Sequence, residues 1–177
     1  MKKIVFITLS LLLALSFWNC EKDDICAEGT PTTPRVIIEF YDAANPTVLK
    51  NVTNLRVEEF GTGEGVVFNE NLPETNPARF LTNENKIAIP LKTFANISEF
   101  DFKFNYGDAS ENNDVITFNY ATQEVYISRA CGYKMTFQLD AIDGTVITPD
   151  ADNWIQNIIV NQPNIETENE IHVKIYF

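Results

Sequence analysis

The chain has 177 residues, 45% of them apolar and 12% aromatic, including 13 phenylalanines, which excludes an intrinsically disordered protein and suits a sizeable packed core. Thirteen Lys and Arg face 25 Asp and Glu, a formal net charge of −12. The positive residues are scattered, so no basic patch is present to bind nucleic acid or anionic headgroups.

Lys2 and Lys3 precede an apolar run from Ile4 to Trp18, interrupted only by Thr8, Ser10 and Ser16. A basic start and a short apolar segment form the pattern of a secretory signal. The run falls short of the ~20 residues that cross a bilayer. No later stretch is long or apolar enough to span one. Residues 1–19 are therefore expected to be a leader removed before Cys20, leaving 20–177 with 11 Lys and Arg against 25 acids. Residues 20–34 read as an attachment cysteine and an extended tether, because AEGTPTTP carries two prolines and no helix signal. Residues 35–177 read as one domain.

RVIIEFYD (35–42) and TNLRVEEF (53–60) are strand candidates, rich in β-branched and aromatic residues. GTGEG (61–65) marks a flexible loop or hairpin tip, and 69–85 reads as loop with a short strand at ARFLT. KIAIPLK (86–92) is an edge or bulged strand because of Pro90. EFDFKFNY (99–106) alternates cleanly, with Phe100, Phe102, Phe104 and Tyr106 on one face. GDASENND (107–114) is a polar turn. VITFNY (115–120) and QEVYISRA (123–130) suggest a hairpin turning at Ala121–Thr122. GYKMTFQLD (132–140), a long loop over 141–154, IQNIIVNQ (155–162) and EIHVKIYF (170–177) complete the chain. The last segment places Ile171, Val173, Ile175 and Phe177 on one side, and His172, Lys174 and Tyr176 on a polar side. Eight or nine short strands with no amphipathic helix predict an all-β, antiparallel, immunoglobulin-like β-sandwich.

Three cysteines, Cys20, Cys26 and Cys131, are an odd number for an exported chain. One economical solution assigns Cys20 to lipid and pairs Cys26 with Cys131 in a disulfide suited to an oxidising compartment. A zinc site would want four ligands, and the chain has one histidine and no closely spaced cysteine pair. In LALSFWNC the sequence resembles a bacterial lipoprotein, although Phe17 and Asn19 stand where the common lipobox has Leu and a small residue. Lipoboxes of the Bacteroidetes are more permissive. The next residues, Glu21, Lys22, Asp23 and Asp24, resemble the acidic export signal of Bacteroidetes surface lipoproteins. They also read as a solvated spacer.

No catalytic set emerges. His172 is expected at the surface, no G-x-S-x-G elbow occurs, and paired cysteines supply no thiolate. Asp140, Asp143, Asp150, Asp152 and Asn153 are weak calcium candidates that depart from the EF-hand order, and solvated turn residues are the plainer reading. Tyr133 and Trp154 are candidates for a ligand-binding face or for the core. Gly132 is a candidate bulge beside the bridge.

Over the whole mature chain, CEKDDICAEGTPTTPRVIIEFYD and ISRACGYK resemble a family of uncharacterised Bacteroidetes lipoproteins, DUF6452. That resemblance implies a lipid-anchored (palmitate-bearing) envelope protein and brings no activity. The expected function is non-enzymatic: an outer-membrane lipoprotein without cofactor, anchored in the membrane at Cys20, that binds or supports another envelope component such as an outer-membrane β-barrel. Carbohydrate capture at the cell surface is the alternative, and a carboxylate-dependent hydrolase a weaker one.

Overall fold

A computed structural model describes residues 25–30 and 32–177. The leader, Cys20 and the run Glu21, Lys22, Asp23, Asp24 lie outside the described residues. Eleven strands occur among the described residues: β1 (Val36–Tyr41), β2 (Leu55–Glu59), β3 (Leu81–Thr82), β4 (Lys86–Ile89), β5 (Ile97–Phe104), β6 (Asn112–Ser128), β7 (Gly132–Leu139), β8 (Thr145–Ile147), β9 (Asn157–Val160), β10 (Asn164–Ile165) and β11 (Val173–Tyr176). One 3-10 turn, Pro77–Phe80, precedes β3; Asn76 caps it by accepting the Ala78 N–H.

Two sheets form a β-sandwich, as the alternation predicts. One is four-stranded in the order β4-β1-β11-β9. The other is seven-stranded in the order β10-β7-β6-β5-β2-β3, with β8 also paired to β6. Pairing is antiparallel except between β1 and β11, where the two ends of the described fold run parallel, Ile38 opposite Val173 and Phe40 opposite Ile175. Pro90 follows β4 directly, and β4 is an edge strand, consistent with a residue that cannot donate to a ladder.

The register carries the core. On β5, Ser98, Phe100 and Phe102 point inward while Glu99, Asp101 and Lys103 do not. On β6, Asp114, Ile116, Phe118 and Tyr120 answer them, with Phe100 opposite Ile116 and Phe102 opposite Asp114. The four-stranded sheet supplies Val36, Ile38, Phe40, Ile87, Ile89, Val173 and Ile175 to the same cluster. Phe100 and Phe118 meet edge to face at 6.1 Å.

Three expectations are corrected. The strands number eleven rather than eight or nine, because β8 and β10, three and two residues long, are too short for a period to register, while β3 is the short strand expected at ARFLT. Ala121–Thr122 is not a turn: β6 runs straight through it for 17 residues. A two-residue hairpin favours residues that accept positive φ, and neither Ala nor Thr does. The chain reverses after Ser128, and Gly132 takes the left-handed conformation (φ 68°) at the start of β7. The third correction, at His172, is described with the site.

By its contacts the described chain divides into two compact units. The larger comprises residues 32–125 and Lys134–Phe177 and holds the core cluster. The smaller comprises residues 25–30 and Tyr126–Tyr133.

Candidate functional site

The small unit is closed by the Cys26–Cys131 disulfide, which joins residues 105 apart in sequence with Cα atoms 4.8 Å apart. The pairing expected from the cysteine count is thus present. On the N-terminal side, Thr30 folds back on Ala27, donating to its carbonyl from both the backbone N–H (3.1 Å) and the hydroxyl (2.6 Å). Gly29 supplies the positive φ of 81° that this turn requires. Opposite, the Ser128 hydroxyl accepts the Cys131 N–H at 3.0 Å.

Around this bridge large side chains face outward. Tyr126 is 59% exposed, Tyr133 63% and Ile25 85%. The two tyrosine rings meet at 5.3 Å, inclined by 65°. Among the unit's described residues Glu28 and Arg129 carry the charges, and these sum to zero. The larger unit has nine Lys and Arg against 21 Asp and Glu. Tyr133 therefore stands in an exposed aromatic pair whose second member, Tyr126, no sequence motif marks.

Trp154 has a different environment. Its indole N–H donates to the Phe102 carbonyl (3.0 Å), and its ring stacks on Phe104 at 5.0 Å and meets Phe177 edge-on at 5.2 Å. Beneath it lies Asp114, whose side chain is fully buried. One carboxylate oxygen accepts the Ile155 N–H at 2.8 Å, and the other accepts the Trp154 N–H at 3.3 Å. Burial pushes the Asp114 carboxyl up, and these N–H donors, with the Asn153 amide, pull against it. Trp154 thus completes the core with its polar handle spent.

The acidic loop residues serve two separate turns on either side of β8. One Asp140 oxygen accepts the N–H groups of Ile142 (2.8 Å) and Asp143 (3.4 Å), which hold its carboxyl below the usual range. Asp150 accepts the Asp152 N–H at 3.0 Å, and Asn153 accepts the Asp150 N–H at 2.9 Å. These are Asx-type turns. Among the described residues no group of three His, Cys, Asp or Glu is placed to hold a metal ion.

His172 is buried, only 1% exposed, where the alternation predicts a surface imidazole. It lies just ahead of β11, beside Ile37 of β1. Its Nδ1 accepts the Ile37 N–H at 2.9 Å, and the His172 backbone N–H donates to the Ile37 carbonyl at 3.0 Å. With Nδ1 an acceptor, the proton belongs on Nε2, which has no hydrogen-bond partner. Desolvation holds the imidazole below its usual range, against the opposing pull of Glu170 and Glu168. The residue is a neutral element of strand pairing.

The larger unit also carries an open polar groove of about 660 Å³, lined in part by Arg35, Asn69, Glu70, Thr82, Glu84 and Lys86. Arg35 is committed within the fold: its guanidinium grips both oxygens of Glu168, at 2.8 and 2.7 Å. Burial alone would raise the Glu58 carboxyl, but hydrogen bonds from Lys103 and Arg56 outweigh it and hold the group low.

The model of a family of unknown function, DUF6452, matches residues 65–177, from the strand-connecting loop after β2 to the C-terminal end of the chain. The matched span includes Tyr126, Cys131 and Tyr133. No curated protein and no solved structure matches the chain.

Proposed function

The chain belongs to the family of unknown function DUF6452, and from that premise we propose that it is a lipid-anchored β-sandwich of a bacterial outer membrane that binds or supports another envelope component without catalysing a reaction. The observation that carries the reading is the disulfide. With Cys26 bonded to Cys131, Cys20 is the one cysteine left over, and it directly follows a basic and apolar leader. A disulfide-bonded protein belongs in an oxidising compartment, which agrees with export. Acylation of Cys20 provides the attachment, each buried CH₂ adding about 0.8 kcal/mol of membrane affinity.

The test is the intact mass of the protein extracted from membranes of cells producing the full chain. Removal of residues 1–19 and a diacylglycerol on Cys20 are expected; an uncut leader or an unmodified Cys20 sinks the anchor. Crosslinking in intact cells, followed by identification of bound envelope proteins, tests the second half. Recovery of the protein alone, across several crosslinker lengths, counts against a supporting or binding role.

Glycan capture is the second reading. The exposed Tyr126–Tyr133 pair supports it, since aromatic faces stack on sugars, whereas Trp154 offers no free N–H to it. A glycan array with wild-type and Tyr133→Ala protein decides, and equal signals from the two remove the idea.

A further inference from the structure

We propose that the disulfide-closed unit is a second membrane contact, with Tyr126, Tyr133 and Ile25 seated in the headgroup layer of a zwitterionic phospholipid bilayer. The inference rests on the anchor reading above and adds to it a defined docking surface.

Chain length sets the geometry. Cys26 lies six positions after Cys20, so even a fully extended chain between them reaches only about 20 Å. The disulfide then holds Cys131 within 4.8 Å, Cα to Cα, of Cys26. An acyl chain on Cys20 therefore keeps the segment from Tyr126 to Tyr133 close to the bilayer surface, although that segment lies more than a hundred residues along the chain. Without the bridge, sequence alone places no such limit on it.

The surface has the chemistry that this position calls for. Tyrosine suits the membrane–water interface because its ring is apolar and its hydroxyl stays wet. Two tyrosines and an isoleucine, all more than half exposed, surround the bridge, and none has a role in the core. The unit's described residues sum to zero charge, and Glu21, Lys22, Asp23 and Asp24 between them and Cys20 sum to −2, so a zwitterionic surface is favoured over an anionic one. The anchor also raises the effective concentration of this patch at the surface, so a weak individual affinity is enough to keep it seated.

The experiment places a single indole at the patch. Full-length Tyr126→Trp and Tyr133→Trp proteins are purified from membranes, and each is checked for the diacylglycerol on Cys20 by mass. They are then reconstituted in phosphatidylcholine vesicles with and without bromine on the acyl chain near the headgroup. Wild-type protein, whose mature chain keeps Trp154, sets the baseline. The added indole is expected to lose most of its emission in the brominated vesicles, and reduction of the disulfide is expected to restore it. With the lipid confirmed, quenching equal to the baseline overturns the membrane contact and leaves the anchor standing. Emission that ignores brominated lipid but shifts on adding glycans overturns it in favour of the glycan reading. A mass showing bare Cys20 removes the anchor and this contact together.

Discussion

Replacing both bridge cysteines, Cys26→Ser with Cys131→Ser, should destabilise the folded protein by about 2–5 kcal/mol, and the bounds follow from where the lead-in is held. A cross-link over 105 residues removes loop-closure freedom from the unfolded chain worth about 4.7 kcal/mol by the chain-entropy estimate. That is the upper bound, reached if residues 25–30 are as ordered without the bridge as with it. The lower bound takes their order to come from the bridge alone. The lead-in is fixed independently at Thr33, whose hydroxyl accepts the Met135 N–H at 3.0 Å. Cys26 then hangs on a seven-residue tether in the native state, and the ratio of the two loop lengths leaves about 2 kcal/mol. Urea titration of wild-type and double-variant protein, followed by tryptophan emission, measures the difference, with a somewhat larger m-value expected for the uncrosslinked chain. A loss below about 1 kcal/mol would refute the reasoning, because even the free-tether case exceeds it.

Asp114→Ala should cost about 2–4 kcal/mol, since it leaves the Ile155 and Trp154 N–H groups without their buried acceptor. Trp154 emission should shift to the red in the same variant, and a variant matching wild type in both stability and emission would show the carboxylate to be dispensable. The buried His172 predicts an acid-side loss of stability. Its folded pKa lies below the ordinary value, so the unfolded chain takes up the proton first as the pH falls. Stability is then full above about pH 6.5 and declines below it until the folded imidazole also titrates. Thermal melts from about pH 7.5 to 5.5 should show that slope for wild type and lose it for His172→Gln; parallel slopes would contradict the burial. Glu58→Gln should cost about 1–3 kcal/mol, as Arg56 and Lys103 then converge on a neutral group. In wild type the lowered Glu58 carboxyl stabilises above its ordinary range, and that contribution fades as pH falls through the folded value. A urea midpoint unchanged by the substitution at neutral pH would argue that the two cations find other partners.

Strands whose two faces differ in exposure were legible. On β5 the phenylalanines and the charged residues separate cleanly in sequence because the chain really does have an inside and an outside there. Pro90 was legible for a different reason, its missing N–H, which no tertiary context repairs. His172 was misread because alternation assigns a side and assumes that the outer side is wet. Ile37 and His172 sit beside each other across the β1–β11 pair, both on the side away from Ile38 and Val173, and both are buried. An outer position can be covered by parts of the chain far away in sequence, and a period-two pattern contains no information about them.

The same distinction explains why the bridge was readable and its neighbour Tyr126 was not. Pairing Cys26 with Cys131 used a constraint on the whole chain, the parity of three cysteines, and needed no knowledge of where either one lies. Finding Tyr126 needed local knowledge. From Ala121 to Ser128, β6 has no buried residue, whereas the four inward positions from Asp114 to Tyr120 are all buried. Where both faces of a strand are accessible, side chains are not sorted by solvent, and hydrophobic periodicity carries no signal. An aromatic residue kept on such a strand contributes little to packing, so exposure itself becomes the informative observation. Exposure without a core role separates Tyr126 and Tyr133 from Trp154, which packs against the core; Phe60 and Phe94 of the larger unit share that exposure, but neither lies in the disulfide-closed unit.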